Sequence, residues 1–76
     1  MNKDRREAIE TLKGKIEDIK AEIDTIRDDE RDYKDNMPES FQSGEKGDKA
    51  DNAIQAMDEA IELLDCAISN LETAAE

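Results

Sequence analysis

Seventy-six residues suffice for one domain at most, and 43% of them are Asp, Glu, Lys or Arg. Twenty-two acids against eleven bases give a net charge of −11, while hydrophobic residues reach only 36%, with one Tyr, one Phe and no Trp. One cysteine and no histidine exclude an internal disulfide and leave neither a zinc site nor the commonest catalytic base. No apolar run spans a bilayer and Met1–Arg6 has no signal-like apolar stretch, so the expectation is a cytoplasmic, non-enzymatic protein without cofactor or membrane contact.

Low hydrophobicity with high net charge would permit disorder, but the spacing of the apolar residues argues for helix. Ile9, Leu12, Ile16, Ile19, Ile23, Ile26, Tyr33 and Met37 advance by three and four, with Glu30 filling the one gap. That is a heptad seam with Ile9, Ile16, Ile23, Glu30 and Met37 at a, and it predicts a helix over about 3–36. Pro38 disfavours helical geometry at Met37, ends the first helix near Asn36, and can open a short helical turn through Phe41. A linker over about 37–46 follows, in which Ser43 is the expected N-cap of the second helix. From about 47 to 75, Ile54, Met57, Ile61, Leu64, Ile68, Leu71 and Ala75 repeat the heptad step.

The flanking charges orient the pair. Position e of the first helix is Arg6, Lys13, Lys20, Arg27 and Lys34; position e of the second is Asp51, Asp58, Asp65 and Glu72. Antiparallel coils place e opposite e, so the expected fold is all-α, an antiparallel hairpin within one chain. Each exposed pair is worth only about 0.2–1 kcal/mol, and its main effect is to choose register. Setting Ile26 opposite Ile61 brings Arg27 to Asp58, Lys20 to Asp65, Lys13 to Glu72 and Lys34 to Asp51. Ile19, Ile23, Ile26, Ile61, Leu64 and Ile68 are then the expected central core.

Position g of the second helix is Ala53, Ala60, Ala67 and Ala74, which lets another backbone come close. Small scaffolds gain stability by oligomerising, so this row is the expected interface of a homodimer in which two hairpins form a four-helix bundle. Tight packing inside the hairpin is the alternative use of these alanines.

Three features outside the seam carry functional readings. Glu30 reads as a register-setting polar residue, bonded to Arg27 or Arg31. Cys66 falls at f, with no basic neighbour to activate its thiol. With Leu63 and Ala56 it forms a small apolar strip, the alternative partner contact. Adjacent acids such as Asp28 and Asp29 diverge by about 100° on a helix and lack calcium-loop spacing, so no metal site is expected. With the e residues set aside, eighteen acids face six bases, and ten of those acids coat the outward faces of the first helix. The candidate partner-binding residues are Asp18, Asp24, Asp28, Asp32 and Asp35. This arc approximates a phosphate array that competes for a basic groove, and its charge excludes direct binding to nucleic acid.

The segment Asn36-Met37-Pro38-Glu39-Ser40-Phe41-Gln42, with its continuation from Gly44 to Ile54, resembles small acidic two-helix proteins encoded by phages and mobile elements. The resemblance covers roughly positions 36–71 and implies work inside a bacterial host cell. Such proteins include inhibitors of host defence nucleases, among them anti-CRISPR proteins. The resulting expectation is an inhibitor of a nucleic-acid-handling protein, acting by mimicry or steric blocking. The alternative is a structural or adaptor coiled coil that docks a partner through apolar surface while its charge serves solubility.

Overall fold

The computed structural model describes all residues, Met1–Glu76, as three helices: α1 Lys3–Asp35, α2 Glu39–Gln42 and α3 Glu45–Ala74. The Asn2 side chain caps α1 by accepting from the Arg5 N–H at 2.9 Å. At its other end the Asn36 N–H donates to the Asp32 carbonyl and the Met37 N–H to that of Lys34, and Pro38 prevents continuation. The Pro38 carbonyl instead starts α2 by accepting from the Phe41 and Gln42 N–H groups. Gln42 Nε2 donates to the Met37 carbonyl at 2.9 Å and to that of Asp35 at 3.3 Å, tying this turn back to the end of α1.

The start of α3 corrects the expected cap. Ser43 Oγ donates to the Glu39 carbonyl at 3.2 Å, so its hydroxyl is occupied in closing α2, and Gly44 in extended geometry is the N-cap. α3 therefore begins at Glu45, two residues before the expected start near 47. Gly47 is buried in its first turn, where the α2 backbone lies against it.

α1 and α3 run antiparallel as a rod measuring 58 × 15 × 10 Å. Their register is written in an ion-pair ladder at e. Arg27 Nη1 meets Asp58 at 2.8 Å, Lys13 meets Glu72 at 3.3 Å, and Lys20–Asp65 and Lys34–Asp51 complete the row. All four expected pairs form. Inside the ladder lie Ile16, Ile23, Met37, Ile54, Met57, Ile61, Leu64 and Leu71, half-buried, with Ile9, Ala50 and Ile68 buried.

The expected core is only partly right. Ile19 and Ile26 are exposed, as are Leu12 and Tyr33, the other d residues of the first helix. The cause is the roll of α1. Its e cations reach across to α3 with side chains only about one-fifth exposed, and this turns a and e toward the partner helix and d outward. Their long stems cover apolar surface that d residues would otherwise cover.

Candidate partner-binding surfaces

The ladder controls the charge left for partners. Nine of the 22 acids engage six of the 11 bases, so thirteen acids and five bases stand outside any ion pair. Hydrogen bonds donated to Glu10 and Glu72 hold the Lys13 ammonium above its ordinary range; the bond to Asp65 does the same for Lys20, and that to Asp58 for the Arg27 guanidinium. These cations are committed to α1–α3 contact. Between Asp18 and Asp35 every base is ion-paired, whereas Asp18, Glu22, Asp29, Glu30, Asp32 and Asp35 are not.

The five candidate aspartates divide. Asp18, Asp32 and Asp35 are exposed and free of ion pairs on the outer face of α1. Asp24 is half-buried and bonded by Arg27 Nη2 at 3.0 Å, while Asp28 is shared by Arg27 at 3.4 Å and Arg31 at 3.7 Å. Asp24 and Asp28 are thus tied to the ladder through Arg27, its central cation, and are not free for a partner. Glu30 is also corrected. It is half-buried at the seam, but Arg27 and Arg31 both turn to Asp58 and leave it without an ion pair.

On α3, Leu63 is 70% exposed, the most exposed large apolar residue of the chain, and Cys66 is an exposed free thiol. Ala53, Ala60 and Ala67 are half-buried and Ala74 is exposed, all on one side of α3.

The bend holds a site that the heptad reading passed over. An open cleft of about 410 Å³ is lined by Tyr33, Asn36, Met37, Pro38, Phe41 and Lys46, and so contains both aromatic residues of the chain. Lys46 Nζ stands 5.1 Å from the centre of the Phe41 ring, a cation–π distance. Phe41 belongs to no heptad, and its place beside Pro38 in a short helical turn was the only signal for it.

No helix is long and apolar enough to cross a membrane, and no three acidic or cysteine side chains gather at metal-ligand distance. No protein-family model, curated protein or solved structure matches the chain.

Proposed function

We propose that the protein is a small acidic binding module that inhibits a nucleic-acid-handling protein by laying the outer face of α1 in its basic groove. This is the anti-defence, anti-CRISPR-like class suggested by the resemblance of the linker, with a bacterial cytoplasm as the place of action. The acting species in this reading is a homodimer, a four-helix bundle joined through Ala53, Ala60, Ala67 and Ala74.

The supporting observation is the separation of charge. The bases of α1 from Lys20 to Lys34 face α3 or neighbouring acids, and what remains outward is carboxylate. Asp18, Glu22, Asp29, Asp32 and Asp35 occupy a stretch of roughly 26 Å at about 1.5 Å per residue. That is about one free charge per 5 Å, near the one per 3.4 Å of a single DNA strand. Self-repulsion of this order opposes folding, so solubility alone does not explain it.

The test is displacement. A nucleic-acid-binding protein held by the immobilised chain should be released by duplex DNA and by raised salt. Asp18→Asn, Asp32→Asn and Asp35→Asn together should abolish most of that binding without loss of helicity. Adding Asp24→Asn and Asp28→Asn should lower stability, because Asp24 holds Arg27 and Asp28 holds both Arg27 and Arg31. Parental binding by the triple variant, or indifference to salt, would refute mimicry. The second reading is an adaptor that docks its partner through apolar surface, favoured by the exposure of Leu63 beside Cys66 and Ala56.

A further inference from the structure

Four large apolar side chains of α1 are left half in water: Leu12 at 48%, Ile19 at 47%, Ile26 at 58% and Tyr33 at 57% exposure. They recur every seven residues and therefore form one line along the helix. In an antiparallel pair, d of α1 and g of α3 both fall on the side opposite an e–e ladder. The line of large residues therefore shares a face with Ala53, Ala60, Ala67 and Ala74. The ladder also sets their heights along the rod. With Arg27 level with Asp58 and Lys20 with Asp65, Ile26 stands level with Ala60 and Ile19 with Ala67. By the same step Leu12 is level with Ala74, and Tyr33 with Ala53. Each large residue has an alanine at its own height on the neighbouring helix.

The hairpin alone is under-packed. Ile9, Gly47, Ala50 and Ile68 are its only buried residues, and no side chain is fully enclosed. A chain of this size needs further burial to be stable.

We propose that this face is covered by a second copy of the chain, in a dimer whose two-fold axis runs parallel to the helices. α1 of each protomer then lies over α3 of its partner, with Leu12, Ile19, Ile26 and Tyr33 seated on the partner's alanine row. This rests on the dimer proposed above and adds its geometry: α1 supplies half the contact, and the two bends lie at the same end. The alternative axis, perpendicular to the helices, would stack large row on large row and alanine row on alanine row. It would crowd one layer and leave the other hollow, whereas interdigitation of large with small fills both.

Area and charge favour a second copy as occupant. A face 58 Å long and 10–15 Å wide offers roughly 600 Å² per protomer, so two faces reach the lower bound of specific interfaces, about 1,200 Å². Two chains of net charge −11 repel over most of their surface. On this face, from Leu12 to Tyr33, the formal charges of α1 are confined to one rim (Lys15, Glu22 and Asp29), so like-charged copies can approach there. The arrangement also leaves Asp18, Asp32 and Asp35 of both copies outside the interface, with Glu22 and Asp29 at its rim, and places the two bend clefts together.

The experiment uses the full chain carrying Cys66→Ser and Ser40→Cys, with a nitroxide attached at the bend. Sedimentation at micromolar concentration should give a dimer, and the label-to-label distance should be about 20–30 Å, set by helix diameters of about 10–12 Å. A dimer with labels separated by nearly the 58 Å length of the rod would overturn the parallel axis while leaving dimerisation intact. A monomer at that concentration would overturn both. Ile26→Lys and Ala60→Arg, made separately in this labelled chain, should each weaken self-association at least tenfold and remove the short distance.

Discussion

Two glycines lie within helices of this protein, and the structure assigns their replacement opposite signs. An ideal Cβ at Gly14, on the exposed side of α1, meets nothing within 4 Å. Gly14→Ala removes the backbone entropy penalty of a helical glycine without any new contact, and should stabilise by about 1 kcal/mol. At Gly47 the same atom would sit 1.9 Å from the Gln42 carbonyl oxygen and 2.5 Å from its carbon. Both are backbone atoms, so relief requires α2 to move by more than an ångström. That motion would strain the Gln42 amide bonds to Met37 and Asp35 that tie α2 to the end of α1. Overpacking of this kind costs about 1–3 kcal/mol, which offsets and exceeds the helical gain. For a domain this small, 1 kcal/mol moves the melting midpoint by about 4–8 °C. Circular dichroism melts at fixed protein concentration should therefore show Gly14→Ala above the parent and Gly47→Ala below it. If Gly47→Ala melted as high as Gly14→Ala, the docking of α2 against α3 described here would be wrong.

Ile68→Ala, at a buried seam position, should cost about 2–4 kcal/mol in a urea titration, against a smaller loss for Ile23→Ala, which starts half-buried; equal costs would contradict the burial order. Lys34 and Asp51 pair only with each other, so Lys34→Asp alone should lower the midpoint and Asp51→Lys added to it should restore most of the loss; no restoration would mean the pair does not set register. Lys13 and Lys20 are held above the ordinary lysine value of 10.5 by Glu10, Glu72 and Asp65. Folded values above unfolded ones mean that this stabilisation is complete below about 10.5 and lost as pH rises through the folded values. Melting midpoints should hold up to about pH 10.5 and fall above it, and a flat profile would show that the lysine rungs contribute nothing.

The composition and heptad pattern of this chain determined two helices, a break at Pro38, antiparallel pairing and the residue-by-residue register of the ladder. These are local or periodic properties: apolar spacing selects the helix, proline stops it, and charge rows of opposite sign admit one alignment. A heptad assigns a and d to the interface by convention, and the tertiary structure decided otherwise. The reach of Lys13, Lys20 and Arg27 across to α3 rolls α1 toward a and e and leaves Leu12, Ile19, Ile26 and Tyr33 in water. The same roll draws Asp24 and Asp28 into the Arg27 cluster, so only Asp18, Asp32 and Asp35 of the five candidate acids stand free. Nor could the pattern show that Gly47 lies against the Gln42 backbone, or that Phe41 and Tyr33 line one cleft at the bend. Rotation of a helix about its own axis depends on the lengths of side chains on two helices at once, and the fit at the bend depends on backbone paths thirty residues from either end; neither is written in the spacing of one.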